Sequence, residues 1–331
     1  MPLRPMPGAK APMPLAGQMF FNQPAQFTVE GRMEDRAKVM LEALPYLQEF
    51  HGKTIVIKIG GSVLGNEEML DSLLRDVVLL NLFGMKVVLV HGGGPEISEE
   101  MKKLNIKPKF IEGLRVTDEK TIEIIHEQLA GKINKQLVLG INQHGGKAFG
   151  VSGLDGNLIR ARKLIYKTTT SKGKEIEVDL GFVGEVERVD PTILTNLIKS
   201  GCIPVVAPIG VDSEGHSLNI NADTAAAEIA IAMKAKKLIL LTDVSGVLRD
   251  PSNESTLISS LTVEEAQKLI QEGVIKKGMI PKVEACLRAI QGGVEKAHIL
   301  KGTQPHVLLL EILTKSGVGT MIERQRQTDA H

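Results

Sequence analysis

The sequence predicts an α/β fold in which a mainly parallel sheet is covered by helices on both faces. Three observations point there. Apolar runs of strand length alternate with stretches of helical periodicity along most of the chain. Two of those runs, Val56-Ile-Lys58-Ile-Gly60-Gly61-Ser62 and Val88-Leu-Val-His91-Gly92-Gly93-Gly94-Pro95-Glu96, end in glycines and give way to helical patterns. A chain of 331 residues can bury a large core, as one domain or two lobes.

Residues 1–29 stand apart. They are rich in Met and Pro, with Glu30 the first acidic residue, so they cannot build a core and read as a disordered arm. Acid-poor character also fits a transit peptide, with the plastid stroma as destination, but the lack of Ser and scarcity of Arg favour a plain arm. From Met33 to Phe50, the spacing of Val39, Met40, Ala43, Leu44, Leu47 and Phe50 predicts an amphipathic helix kinked by Pro45. Strand Thr54–Lys58, helix Glu67–Phe83, strand Lys86–Val90 and helix Pro95–Leu104 follow. A long helical stretch covers Asp118–Asn142 with Thr117 as N-cap, then strand Ala148–Val151. Alternation over Leu158–Glu187 predicts hairpins of the kind that form a lid. Asp190 as N-cap and Pro191 as first residue open a helix ending at Ser200-Gly201, before strand Ile203–Ala207. The second half repeats the theme. Helix Ala222–Met233 leads to strand Lys237–Leu241, helix Val263–Glu272 and a helix that Pro281 opens and Gln291 ends. Strand Ala297–Leu300, helix Val307–Thr314 and a short strand Thr320–Ile322 complete the series.

Composition narrows the function. A net charge of +1 offers no strong field for nucleic acid or an anionic membrane. Aromatics are only 3% with no Trp, which speaks against a base-stacking surface. The two cysteines, Cys202 and Cys286, sit in apolar settings and read as small buried hydrophobes in a reducing, cytoplasmic compartment. No apolar run approaches the length of a membrane span.

The glycine loops point to phosphate. Glycines let backbone approach an anion, and the free N–H groups of the next helix face it. Lys58 directly precedes one loop; it reads as a snorkelling strand-end lysine or, better, as a phosphate-neutralising cation. No G-x-x-x-x-G-K-[ST] loop and no H-R-D or D-F-G set occurs, which excludes P-loop enzymes and protein kinases. In Asn219-Ile-Asn221-Ala-Asp223-Thr224, two amides and a carboxylate precede a helix. Asp223 is there either a first-turn acid favoured by the helix dipole or part of a polar cluster aimed at a ligand. Lys282 stands at a helix start, where the dipole opposes a cation, and makes sense beside a bound anion; Lys276 and Lys277 read as a solvated basic loop.

These residues carry a family resemblance. Lys58-Ile-Gly-Gly61, His91-Gly-Gly-Gly94, Gly113-Leu-Arg115-Val-Thr117, Asn219-Ile-Asn-Ala-Asp223, Leu241-Thr-Asp-Val-Ser-Gly246-Val and Gly278-Met-Ile-Pro-Lys282 occur in the order and register of the acetylglutamate kinases, of the amino-acid kinase superfamily. The resemblance implies a three-layer αβα sandwich and transfer of the ATP γ-phosphoryl to the side-chain carboxylate of N-acetyl-L-glutamate, the second step of arginine biosynthesis. It implies Lys58 and Lys282 as transition-state cations held by Asp223, and Gly60, Gly61, Gly93 and Gly94 as N–H donors along the phosphoryl path. Arg115 would pair with the substrate α-carboxylate, with Asn219 and Asn221 on the same substrate. Thr242, Asp243, Gly246 and Met279 lie where the family holds the nucleotide, and Mg²⁺ would arrive with ATP, with no protein metal cage. The implied organisation is a disordered arm 1–29, an oligomerisation helix 30–52, an acceptor lobe 53–206 and a nucleotide lobe 207–331.

The segment Ala43-Leu-Pro-Tyr46-Leu-Gln-Glu-Phe50 and the stretch from His306 to Thr320 also resemble the arginine-inhibited, hexameric members of that family. This implies feedback inhibition at a site with Tyr46, Glu311 and Gly317, a homo-hexamer built as a trimer of dimers, and a PII-type regulator as a further candidate partner. One departure stands out: Lys301-Gly302-Thr303 replaces the Asp-Gly-Arg of many such relatives. The rival readings are another amino-acid kinase, of the carbamate kinase or glutamate 5-kinase type, and an inactive arginine sensor. Intact Lys58, Asp223 and Lys282 oppose the second.

Overall fold

The computed structural model describes residues 33–169, 175–276, 278–315 and 317–325; the 1–29 arm and Lys277 lie outside the described residues. Helix α1 (Met33–Phe50) precedes β1 (Thr54–Ile59), the short α2 (Gly61–Leu64), α3 (Glu67–Leu82), β2 (Lys86–His91) and α4 (Gly94–Lys103). A two-stranded ribbon, β3 (Phe110–Ile111) and β4 (Leu114–Arg115), leads to α5 (Glu119–Ile125), a π-helical stretch His126–Ile133, and α6 (Asn134–Gln143). Next come β5 (Ala148–Ser152), β6 (Ile159–Thr169), β7 (Glu175–Val189), α7 (Thr192–Lys199), β8 (Ile203–Ala207), β9 (Ile209–Val211) and β10 (Ser217–Ile220). The remainder is α8 (Ala222–Ala232), β11 (Lys237–Thr242), β12 (Ser260–Thr262), α9 (Val263–Gln271), α10 (Ile280–Gln291), β13 (Lys296–Lys301), α11 (Val307–Leu313) and β14 (Thr320–Glu323).

Among the described residues the central sheet has eight strands in the order β12-β14-β13-β11-β1-β2-β8-β5. All neighbours are parallel except β13 and β14. From β1 the chain first builds outward through β2, then returns to β1's other side with β11. That switch opens a crevice at the carboxyl ends of β1, β2 and β11, where both glycine loops emerge. Strand alternation decides what faces it. Val56, Val88 and Leu240 join a core with α8 and α10, so Lys58, two residues after Val56, points to the same side. Helix α8 buries Ala225, Ala226, Ala227 and Ala230, small residues that bring its first turn close against β1. No helix of the described residues is long and apolar enough to cross a membrane.

Several expectations shift. Thr117 is not the cap of the following helix. Its backbone bridges Gly181, and Asp118 caps α5, its Oδ1 accepting from Thr121 N at 2.9 Å. The predicted single helix 118–142 is interrupted by the π-helical stretch. Pro191 itself takes the cap position of α7, with Asp190 Oδ1 accepting from Thr192 N at 3.0 Å. Ile280 opens α10 and Pro281 is its second residue, with Met279 as cap. The hairpin over 158–187 is present as β6 and β7, and it closes with β9 and β10 into a small barrel.

Helix α11 is tied to α3 through a buried acid. Asp76 Oδ1 lies 2.8 Å from Nδ1 of His306, the left-handed cap of α11. Burial pushes the Asp76 carboxyl up to about 6, with His306 pulling the other way. A raised carboxyl favours the folded state most fully below its unfolded pKa, and that contribution is lost as pH rises through about 6. Asp76→Asn is therefore expected to flatten the fall in melting temperature between about pH 4 and 7, a difference of up to ~3 kcal/mol. Parallel slopes for both proteins would remove this assignment.

Candidate active site

Three elements converge on one carboxylate. Asp223 sits in the first turn of α8, whose cap Asn221 accepts with Oδ1 from the N–H groups of Asp223 and Thr224 at 2.9 and 3.1 Å. Its Oδ1 lies 2.8 Å from Lys58 Nζ on β1 and its Oδ2 accepts from Lys282 Nζ on α10, also at 2.8 Å. Burial pushes the Asp223 carboxyl up, but Lys58 and then Lys282 outweigh it and hold the group below the usual carboxylate range. The trio carries one net positive charge at the floor of the crevice. Asp223 and Lys282 line a cavity of about 790 Å³ with Asn221, Gly278, Tyr166 and Gly113.

Both glycine loops deliver helix starts to this crevice. Gly60 caps α2 and Gly93 caps α4, and neither cap is closed by a side chain. Close approach explains the residue type. A Cβ on Gly61 would stand 2.7 Å from Pro95 ring carbons, and one on Gly93 would stand 2.5 Å from Ile133 Cδ1. Gly94 faces open space, which leaves room for a ligand against its backbone.

Arg115, at the end of β4, is buried beside the second loop. Its Nη2 donates to Gly94 O and to Ser98 Oγ, both at 2.8 Å, while Phe110 covers the guanidinium at 4.7 Å. Among the described residues no carboxylate pairs with it. A polar relay runs from there to α8. Thr117 Oγ1 donates to Arg115 O at 2.9 Å and accepts from Asn219 Nδ2 at 3.3 Å, and Asn219 lies on β10 just before the cap Asn221.

Residues 53–301 match the amino acid kinase family. Across 288 residues the chain is 52% identical to acetylglutamate kinase of Moorella thermoacetica, covering 87% of this chain and 97% of that protein. The chain belongs to the acetylglutamate kinase family. Among solved structures it resembles N-acetylglutamate synthase from Neisseria gonorrhoeae in complex with coenzyme A and N-acetyl-glutamate. That likeness has a TM-score of 0.75 and 27% identity, and spans 88% of this chain and 64% of the synthase chain. The same synthase complexed with coenzyme A and L-arginine gives a TM-score of 0.72 at 25% identity, over 89% and 68%.

For a member of the acetylglutamate kinase family, the remaining expected residues fall into three groups. Thr242 ends β11 beside β13. Its Oγ1 donates to Asp243 Oδ1 at 2.9 Å and its carbonyl accepts from Gly302 N at 2.8 Å. Gly246 follows in the same loop at φ +147°, and Lys301, the first residue of the departing Lys301-Gly302-Thr303, pairs with Glu254 at 2.9 Å. Met279 caps α10 through its backbone. Asn221 is a helix cap that also borders the cavity, so its expected substrate role competes with two backbone hydrogen bonds. Among the described residues no group of three His, Cys, Asp or Glu could hold a metal ion.

Tyr46, Glu311 and Gly317 come together elsewhere, lining a separate cavity of about 510 Å³ with Phe50, Lys237 and His298. Glu311 Oε1 lies 2.8 Å from His298 Nδ1, and its Oε2 accepts from Val318 N at 2.9 Å. Burial lowers the His298 pKa, with Glu311 opposing; burial raises that of Glu311, but His298 and the Val318 N–H outweigh it and leave it below the usual range. Lys237 Nζ rests 4.9 Å above the Phe50 ring. Sequence reasoning missed Lys237 and His298, and missed Ser98 beside Arg115. Ser98 had a signal, one helical turn beyond Gly94 on the helix that the glycine loop opens.

Proposed function

We propose that this crevice transfers the γ-phosphoryl group of ATP to the side-chain carboxylate of N-acetyl-L-glutamate, the activity named in the curated relatives and a step of arginine biosynthesis. The single observation that carries it is one buried carboxylate gripping two lysines, one from the central strand β1 and one from the first turn of α10. A carboxylate acceptor is already ionised near neutral pH, so no general base is required. What remains is alignment and cancellation of charge on the transferring group. Lys58 and Lys282 supply two cations whose directions Asp223 sets. N–H groups of Gly60, Gly61, Gly93 and Gly94 supply donors, and the loop after Thr242, with Asp243 and Gly246, holds the nucleotide together with the Met279 cap of α10. Mg²⁺ comes with ATP, bound by phosphate oxygens and water.

Arg115 decides the acceptor. A buried guanidinium without a protein carboxylate is suited to the substrate's α-carboxylate, and Asn219 stands one relay step away. Coupled assays with N-acetyl-L-glutamate, glutamate and carbamate test this; turnover of carbamate alone removes the reading. Arg115→Lys is expected to raise KM for N-acetyl-L-glutamate by about 30-fold, or ~2 kcal/mol, because the planar fork is lost. KM for ATP should stay within about threefold.

Inhibition by arginine belongs to the same proposal. The second cavity offers Glu311, fixed by His298 and Val318, to a guanidinium, and a structural relative binds L-arginine. Exposed Val39, Met40 and Leu41 on α1 (65, 75 and 65%) favour docking against a second copy, consistent with a hexamer. Deleting residues 1–50 removes Tyr46 and Phe50 as well as that face. It should reduce a hexamer to dimers by light scattering and blunt arginine inhibition. A full-length dimer removes the assembly reading, and undiminished inhibition removes the cavity assignment. Cytoplasmic placement, with buried free Cys202 and Cys286, completes the proposal.

A further inference from the structure

The end of β2 holds a buried polar pair that the phosphoryl-transfer chemistry does not use directly. His91 and Asn134 are both fully buried. His91 Nδ1 lies 2.9 Å from the carbonyl oxygen of Gly92, and Asn134 Nδ2 lies 3.3 Å from His91 Nε2. The protons can be assigned from both ends. A carbonyl oxygen only accepts, so the bond to Gly92 requires a proton on Nδ1. The Asn134 amide nitrogen is identified independently, because it also faces the carbonyls of Val205 at 2.9 Å and Val151 at 3.3 Å. That nitrogen only donates, so a proton on His91 Nε2 would find no acceptor there, and Nε2 is the unprotonated ring nitrogen. Both ends give one state: a neutral ring protonated at Nδ1. Burial agrees, lowering the His91 pKa to about 4.

The consequence lies in the next peptide. A trans peptide holds its C=O and N–H on opposite sides. With the Gly92 carbonyl turned onto the His91 ring, the Gly93 N–H is turned away from it. Among the described residues that N–H meets no acceptor. Asn134 begins α6 directly after the π-helical stretch, and Leu129 and Ile133 of that stretch close over Gly93. Gly150 leaves the space that the Asn134 carbonyl oxygen occupies, where a Cβ would collide.

We infer that His91, staked by Asn134, is a positioning residue that sets the Gly92–Gly93 peptide so that the Gly93 N–H faces the transferring phosphoryl group. The inference rests on the phosphoryl-transfer reading above and adds to it the residue that orients the loop. The donor is aimed before substrate arrives, so its effect falls on the transition state and therefore on kcat.

Conservative variants separate aiming from packing. Asparagine places an N–H donor where Nδ1 stands, whereas glutamine reaches the Nε2 position and leaves the Gly92 carbonyl without its donor. His91→Asn is expected to keep kcat within about tenfold of the wild type, and His91→Gln to lose about 100-fold, with KM for N-acetyl-L-glutamate within about threefold in both. Equal losses in the two folded variants, or a loss confined to KM, overturn the inference. If either variant fails to fold, nitrogen-15 NMR of histidine-labelled wild-type protein decides. A ring protonated at Nδ1 and unchanged from about pH 5 to 8 supports the inference, and one protonated at Nε2 or titrating near its ordinary value overturns it. Wild-type protein that phosphorylates no acceptor sinks the functional reading instead, and the NMR spectrum then decides the His91 geometry by itself.

Discussion

Lys58→Ala and Lys282→Ala are each expected to lower kcat by about 10³-fold while the protein stays folded. Positioned cations act where charge spreads over the transferring phosphoryl oxygens, so the loss should fall on kcat more than on either KM. Folding should survive because Asp223 retains one lysine in each single variant, 2.8 Å away on the opposite oxygen. The buried carboxylate is then still paired. Lys58 is the stronger test, since only 7% of it is exposed and no solvent cation can readily take its place. Steady-state kinetics beside a thermal melt measures both halves of the expectation. Wild-type kcat in both variants would falsify the assignment of the two lysines to the reaction.

How much of this was legible beforehand depends on whether the cause was local. The glycine loops were legible because a strand followed by glycines has few other uses, and the direction of Lys58 follows from alternation along β1. The partnership of Lys58, Asp223 and Lys282 was not legible from spacing. It exists only because β1, α8 and α10 meet at the sheet's switch point, and the family resemblance, not periodicity, supplied it. Asn221 shows a different limit. An amide before a helix looks the same whether it caps that helix or binds a ligand, and Asn221 caps α8 with its oxygen, accepting from Asp223 and Thr224, while it also borders the cavity. Thr117 and Asp118 were equally competent caps by type, and the bridge to Gly181 removed one. Lys237 escaped notice because a lysine opening a strand normally reaches solvent. Here it is 7% exposed and lies over Phe50, contributed by a helix from before the sheet.

Asp223→Ala removes the member of the trio that neither lysine can replace. Breaking a buried ion pair from one side costs about 3–5 kcal/mol, because the remaining charge stays buried without its partner. Two facts place this variant toward the lower end. The Lys282 side chain is 21% exposed and can turn toward water, and the α8 cap is Asn221, which the substitution leaves in place. A loss of roughly 3 kcal/mol in unfolding free energy is expected, with kcat down by at least about 100-fold because both cations lose their aim. Nucleotide should partly substitute for the missing carboxylate. Its phosphates bring negative charge to the same two lysines, so saturating ATP is expected to raise the variant's melting temperature by more than it raises the wild type's. That comparison separates positioning from simple support of the fold. An equal shift in both proteins would mean that Lys58 and Lys282 do not face the phosphates, even if the variant were unstable and inactive.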